Sequence, residues 1–315
     1  MAKDRLVVYL LQDLKVSSDN PTIYAILYHT SIHIQNCVHF ENSKFLIHFK
    51  QLIHEIADSE LDIRFLALLI NLLRCFTIAQ FFLDINTIGV ILSRSFHAQL
   101  HGATLLKILS TGLNHKDCCR NLKSHHIQIL IDHLSGCMDK DLMIELFRII
   151  NSVHYPESNT YPFESSFDVK VFLLQNILCY QELEEDLLLE LIIFTGIIAI
   201  NHESAVFFYK EGAVNIFIAI LREKQEDDEF VLQIIYIFYL LLYHSATKDS
   251  IIYDSQIPSY INELMNDPNM LISSYSNEAL NLLFCLDSDY ANQIVNERFN
   301  WYNFQWLDSI AEQDK

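Results

Sequence analysis

The chain has 315 residues, of which 51% are hydrophobic and 19% are charged, so it can bury a large core and is not a disordered polymer. Its 21 basic and 40 acidic residues give a formal net charge of -19, and such a surface repels phosphate backbones. The charge therefore excludes nucleic acid as an expected partner. The 6 glycines and 5 prolines are few for a protein rich in sheets and turns, which indicates long helices.

The N-terminal stretch MAKDRLVVYLLQDLK carries charges throughout and has no apolar signal segment. The cysteines are odd in number, and no two of them have the CxxC spacing of a metal or redox pair. We therefore predict a reduced, cytoplasmic protein with free thiols. These thiols belong to Cys37, Cys75, Cys118, Cys119, Cys137, Cys179 and Cys285.

One pattern recurs along the chain: acidic or small polar residues, a long apolar helix, a polar break, and two shorter amphipathic helices. Successive units begin roughly 40 residues apart, which is the period of armadillo and HEAT repeats. We predict an all-α fold, an armadillo/HEAT-like right-handed superhelical solenoid, in which residues 1–315 form a single domain of about seven units. The units are predicted to begin near Ser17, Ser59, Phe96, Met138, Glu182, Glu226 and Asn269.

The segment NHKDCCRNLKSHH (114–126) contains the strongest arrangement of possible metal ligands. His115 and Cys119 are four residues apart and could share a metal on one side of a helix. A closed zinc site needs four convergent ligands, whereas Cys118 and Cys119 point to different sides of a helix. We therefore interpret the segment as a connection between helices and predict no metal and no cofactor.

Two features mark connections in the later repeats. The stretch HYPESNTYPFESSFD (154–168) holds two prolines and several polar residues, which predicts an irregular exposed loop. Gly212 separates two short helices, and its position suits the left-handed backbone conformation that turns the chain after a helix.

Two stretches, 187–200 and 230–243, are apolar enough to raise the question of a membrane span. Both are shorter than the ~18 apolar residues expected of a span, and acidic residues flank them. We interpret them as buried long helices of successive repeats and predict no membrane insertion. The pairs Glu184–Glu185 and Asp227–Asp228 are expected to start these helices, where carboxylates complement the helix dipole.

The last segment, ERFNWYNFQWLDSI (297–310), holds both tryptophans, Trp301 and Trp306. A terminal repeat has no following neighbour, so residues 296–315 are predicted to form a cap over the open end of the core. An aromatic docking patch for a partner is the alternative.

Five runs of the sequence are distinctive enough to compare with a known family. They are KQEDDEFVLQIIYIFYLLLYHSATKDSIIYDSQIPSYINELM (224–265), EEDLLLELIIFTGIIAI (184–200), the ending ERFNWYNFQWLDSI, and the weaker ILYHTSIHIQNCVHF (26–40) and LALLINLL (66–73). Taken in chain order, they resemble the C-terminal armadillo region of the kinesin-associated protein family, the non-motor subunit of heterotrimeric kinesin-II. Members of that family have additional N-terminal sequence, so we expect this chain to be a fragment or a truncated relative.

The resemblance implies an accessory subunit that binds the tails of the kinesin-II motor subunits and links them to cargo adaptor proteins. It implies microtubule-based transport in the cytoplasm, including intraflagellar transport in cilia and flagella. The sequence lacks the GxxxxGK[ST], GxSxG and HExxH patterns, so we expect no enzymatic activity and assign ATP hydrolysis to the partners. Two alternatives stay open: a generic armadillo or HEAT scaffold with a different partner, and an enzyme subunit with a cryptic site.

The long helices line a concave groove in armadillo folds, so their polar and aromatic side chains are candidate partner contacts. Asn71 and Asn151 resemble the asparagine with which many armadillo proteins hold an extended peptide, whereas the matching positions near Ile197 and Leu240 are apolar. A place in the core is the alternative for the tyrosines. The predicted partner-binding residues are Asn71, Arg74, Arg148, Asn151, Tyr236, Tyr243, Trp301 and Trp306.

Overall fold

The computed structural model describes residues 21–41, 43–55, 61–97, 101–134, 136–137, 139–153 and 168–286, and, nearer the end, 291–292, 294–296, 298–300 and 303–304. These residues form helices and connections, and no strand occurs among them. They belong to two compact units, Met1–Asp168 and Val169–Lys315. The prediction of a single domain over residues 1–315 stays a prediction.

The first unit repeats one order of helices. A helix of the first row, which we call a long helix, is followed by a short helix and then by a helix of the second row. The long helices α1, α3, α6 and α9 pack each against the next, while α2, α5 and α8 pack in a second row. The labels refer to α1 (Pro21–Ser31), α2 (Ser43–Glu55), α3 (Ile63–Leu73), α4 (Phe76–Phe82), α5 (Ile85–His97), α6 (Gly102–Leu113), α7 (Lys116–Cys119), α8 (Ser124–Leu134) and α9 (Lys140–Ser152), with a 3-10 helix at Ile34–Phe40.

The second unit has the same order. Its long helices α11, α14 and α17 pack each against the next, and α10 packs against α13. The labels refer to α10 (Val169–Leu178), α11 (Glu185–Ala199), α12 (His202–Lys210), α13 (Ala213–Glu223), α14 (Asp228–Tyr243), α15 (Lys248–Asp254), α16 (Ile257–Glu263) and α17 (Met270–Leu286), with 3-10 helices at Tyr180–Glu182 and Leu264–Asn266. The recurrence of one helix order in both units confirms the predicted all-α, armadillo/HEAT-like fold.

The long helices form the core because their apolar side chains are covered by neighbours on both sides. In α14, Phe230, Ile234, Phe238 and Leu241 are all buried. Burial of a side chain of this size contributes about 1.5–3 kcal/mol relative to leaving it in water. The stretches 187–200 and 230–243 are thus buried helices, as predicted.

The helix starts follow the predicted chemistry. Asp227 precedes α14, and its carboxylate accepts hydrogen bonds from the backbone N–H groups of Glu229, at 3.0 Å, and of Phe230, at 3.4 Å. Glu184 precedes α11, whose first turn contains Glu185 and Asp186. The Asp227 carboxylate thus satisfies free N–H groups, and the carboxylates at both helix starts face the positive end of the helix dipole.

Gly212 occupies the left-handed region that the sequence predicts. Its φ is 78°, and it connects α12 directly to α13. A residue with a Cβ is strained in this conformation, so the glycine permits the sharp turn between these two helices.

None of the described helices is by itself long and apolar enough to cross a membrane. Two consecutive pairs reach the required length and apolarity only together, and both are bent, by 118° between α3 and α4 and by 78° between α12 and α13.

Two predicted features fall on residues that the structure does not describe. They are the loop at 154–168, of which Asp168 alone is described, and the terminal cap, whose Trp301 and Trp306 both lie outside the described residues. The choice between a cap and a docking patch therefore stays open.

Candidate partner-binding surface of the long helices

The predicted groove residues of the first unit begin with Asn71, which lies half-buried on α3. Its side-chain amide donates a hydrogen bond to Ser31 Oγ on α1, at 3.1 Å. This bond joins two adjacent long helices. Asn71 therefore has a structural task between repeats, in addition to the peptide contact predicted from the sequence.

Arg74 ends α3 and is exposed. A cation at the end of a helix is favoured by the negative pole of the helix dipole, which stabilises Arg74 at this position. Asn151 lies in the last turn of α9, the last helix of this row, and is half-buried. Arg74 is thus the more accessible of these two candidates.

Arg148 belongs to a buried polar cluster. Its Nη1 lies 2.8 Å from Glu145 Oε1 in the same helix, and Ser110 Oγ on α6 donates to Glu145 Oε2 at 2.6 Å. Glu145 is only 5% exposed. A buried carboxylate is costly unless it is paired and hydrogen-bonded, so Arg148 compensates the charge of Glu145, while the Ser110–Glu145 hydrogen bond holds α9 to α6. The sequence alone identified the cation but missed its partner three residues away.

In the second unit, Tyr236 lies half-buried on α14 between its two neighbouring long helices. A Cβ on Gly196 of α11 would lie 3.3 Å from Tyr236 Cδ1, so the glycine leaves room for the ring. On the other side, the rings of Tyr236 and Tyr275 of α17 meet edge-on, with centroids 5.9 Å apart. Tyr236 is therefore partly a core residue, which was the alternative prediction for the tyrosines.

Tyr243, at the end of the same helix, is 66% exposed. Tyr243 is the last residue of α14, and its ring lies outside the core. Ile200, which follows α11 at the corresponding end, is 46% exposed and was not singled out from the sequence. The sequence did not single out Ile200, because α11 and α14 are apolar on nearly all sides. Only the packing shows which of these sides is exposed.

Two histidines, each just after a long helix, donate hydrogen bonds to the C-terminal end of the preceding long helix. His115 Nε2 donates to the carbonyl of Leu73 at 3.0 Å in the first unit, and His244 Nε2 donates to the carbonyl of Ala199 at 2.9 Å in the second. The last carbonyls of a helix have no partner within it, so these rings satisfy groups that would otherwise be unpaired.

The possible metal ligands of segment 114–126 are engaged in packing. Cys119 Sγ lies 2.7 Å from the carbonyl oxygen of Leu113 and 3.2 Å from that of Ser152. Burial raises the pKa of the Cys118 thiol to about 11, which keeps it protonated at neutral pH. Within the described part of the chain, no group of three or more His, Cys, Asp or Glu side chains is placed to hold a metal ion.

The sequence matches one protein family. A family model described as kinesin-associated protein (KAP) matches residues 5–315. The chain belongs to the kinesin-associated protein family. Among solved structures, this family member is similar to the crystal structure of an engineered protein, with a TM-score of 0.59 and 14% sequence identity over 92% of this chain and 81% of that chain. At this identity the likeness concerns the fold alone.

Proposed function

We propose that this kinesin-associated protein is the non-catalytic accessory subunit of heterotrimeric kinesin-II. In this role it binds the tails of the motor subunits and links them to cargo adaptor proteins for microtubule-based transport, including transport within cilia and flagella. The single observation that carries the proposal is the family match over residues 5–315. Its place of action is the cytoplasm, on microtubules.

The helical repeat supports a binding role. Stacked repeats present the sides of successive long helices as one extended surface, which suits a long partner segment better than a small molecule. We propose that residues 1–315 act as one continuous array and that the partner contacts include Arg74 and Tyr243. Both side chains are exposed, and Arg and Tyr are among the residue types that contribute most to binding energy at interfaces.

The remaining predicted residues also belong to the proposed binding surface, and some of them contribute to folding as well as to binding. Asn71, Arg148 and Tyr236 each contact a neighbouring side chain, so they support the surface as well as lining it. Asn151, Trp301 and Trp306 complete the proposed set.

Co-expression with tagged tail segments of the two kinesin-II motor subunits tests this function. We expect the chain to copurify with the tails, and light scattering of the eluted complex gives its stoichiometry. The tail of an unrelated kinesin serves as control. A chain that binds neither tail, or binds the unrelated tail equally well, contradicts the proposal. Stable binding to a different defined partner would favour the generic scaffold instead.

A further inference from the structure

One surface of the second unit is apolar in one part and acidic in another. Its apolar part consists of Ile193, Ile200, Tyr236 and Tyr243, and its acidic part of Glu190 and Glu229. We call this the apolar–acidic face. Glu229, Tyr236 and Tyr243 are seven residues apart, and Glu190, Ile193 and Ile200 are three and seven apart, so the residues of each helix share one side of α11 or of α14. Every one of them is half-buried or exposed.

The packing of α11 against α14 places Ile200 and Tyr243 at the same end of the face. His244 joins the C-terminal ends of α14 and α11 through the carbonyl of Ala199, at 2.9 Å. Asn269 Nδ2 donates to Asp228 Oδ2 at 2.8 Å and joins the N-terminal ends of α17 and α14. The helices therefore run parallel, with Ile200 and Tyr243 at the same end. The carboxylate of Glu229 lies toward the opposite end.

The charge of the face has one sign. The helices α11, α14 and α17 contain no Lys and no Arg, whereas they contain the carboxylates Asp186, Glu190, Asp228, Glu229 and Glu278. A further carboxylate, Glu185, is paired with Lys224, which lies in the connection before α14. The long helices of the first unit differ, because they carry Arg64, Lys107, Lys140 and Arg148. A partner with cationic groups is attracted to the long helices of the second unit, and a partner with anionic groups is repelled.

Arg298, near the end of the described residues, contacts α17 on another side. Arg298 Nη2 donates to Asn277 Oδ1 on α17 at 2.9 Å. Asn277 lies roughly 200° around that helix from Tyr275, whose ring contacts the face through Tyr236. This contact is therefore directed away from the apolar–acidic face.

We propose that the apolar–acidic face binds a basic amphipathic segment of a partner protein. Its apolar side chains cover Ile200 and Tyr243, which are 46% and 66% exposed, and its lysines or arginines lie over Glu190 and Glu229. Apolar burial supplies affinity, and the one-sided charge selects the partner and its orientation. The inference deepens the proposed function and rests on it for the assignment of this surface to partner binding.

Three labelled synthetic peptides of about four helical turns test the chemistry of the face. The first is an amphipathic helix of Leu and Lys, the second replaces Lys by Glu, and the third replaces Leu by Ser. Fluorescence anisotropy with the full chain at about 100 mM salt gives each Kd. We expect the Leu/Lys peptide to bind at least about tenfold more tightly than the other two.

Two matched variants locate the binding. Ile200→Ser with Tyr243→Ala is expected to weaken the Leu/Lys peptide at least about tenfold. Leu178→Ser with Tyr253→Ala removes apolar side chains that are 56% and 66% exposed elsewhere in the same unit and is expected to leave the Kd unchanged. Circular dichroism melts of both variants check that they fold, and the exposure of all four side chains favours folded proteins.

Three results would overturn the inference. Equal binding of the Ser/Lys peptide would mean simple attraction to an acidic protein, and an unchanged Kd in the face variant would place the peptide elsewhere. Self-association that the face variant abolishes would make a second copy the occupant. The motor tails separate this inference from the proposed function. Tail binding without Leu/Lys selectivity rejects the inference alone, and face-dependent Leu/Lys binding without tail binding rejects the function alone.

Discussion

The environment of Glu145 makes charge reversal at Arg148 unsuitable as a test of binding. Its buried carboxylate accepts from Ser110 on the neighbouring long helix and pairs with Arg148 in its own helix. A change of Arg148 to Glu would place two carboxylates side by side, so a loss of binding could come from unfolding. Arg74, which is exposed, is therefore the better cation to replace when binding is tested.

The cluster itself gives a stability prediction. Ser110→Ala removes a hydrogen bond to a buried charged group, and we expect it to cost about 1.5–3 kcal/mol of unfolding free energy. Urea unfolding followed by circular dichroism measures this cost. Thr111→Ala is the control, because the Thr111 hydroxyl donates only within its own helix. Equal losses in both variants would mean that the bond to Glu145 does not stabilise the packing of α6 against α9.

A buried histidine gives the chain a pH-dependent stability. His126 on α8 is 2% exposed, and its Nδ1 accepts a hydrogen bond from the backbone N–H of Lys123 at 3.2 Å. Burial, with smaller contributions from His125 and Lys123, lowers the pKa of His126 to about 4, from an ordinary value of 6.5. The folded chain therefore resists protonation of this ring, whereas the unfolded chain does not.

The sign of the effect follows from the two pKa values. Above about pH 6.5 the ring is neutral in both states, and its contribution to stability is complete. As the pH falls from about 6.5 toward 4, the unfolded chain binds the proton first, so stability decreases. We expect His126→Gln to flatten this decrease in urea unfolding, and His29→Gln, at an exposed position, to leave it unchanged. The same slope in His126→Gln and in the parent protein would contradict the assignment.

The connection between two helices is the element whose sequence signal was clearest. Gly212 was predicted in the left-handed conformation from its place between two short helices, and the structure has it there, with φ 78°. Such a turn can be predicted from the local sequence alone. A residue with a Cβ is strained in the left-handed conformation, however the flanking helices pack.

Alanine substitution of two glycines distinguishes backbone strain from steric crowding. A Cβ added to Gly212 or to Gly136 would meet no atom within 4 Å, but only Gly212 has the left-handed φ. We expect Gly212→Ala to destabilise the chain by about 1–2 kcal/mol and Gly136→Ala to be neutral or stabilising by up to about 1 kcal/mol. Thermal unfolding of both variants measures the difference. Equal melting temperatures would show that the turn tolerates a side chain.

Contacts between repeats were beyond the reach of the sequence for a physical reason. The half-burial of Tyr236 depends on Gly196 of the preceding long helix, and the hydrogen bond of His244 depends on Ala199. Apolar periodicity shows that a helix is buried, but the lateral register of two stacked helices is set by their packed side chains. Ile200 was missed for the same reason.

At the scale of the whole molecule, the repeat and the family could be predicted, and the distribution of charge over the surfaces could not. The roughly 40-residue period and the runs at 184–200 and 224–265 were sufficient for the fold and the family, which matches residues 5–315. The net charge of -19 is a sum over the whole chain and does not say which surfaces are acidic. The helices place Lys and Arg on the long helices of the first unit and none on those of the second.

The affinity of the chain for fluorescently labelled tails of the kinesin-II motor subunits tests the central claim most directly. Arg74→Glu, on a long helix, is compared with Arg120→Glu, which changes the net charge equally at a side chain that is 78% exposed beside the short helix α7. The account predicts tail binding that Arg74→Glu weakens at least about tenfold at low salt, while Arg120→Glu leaves the Kd nearly unchanged. Absence of tail binding, or equal weakening by both variants, would contradict it.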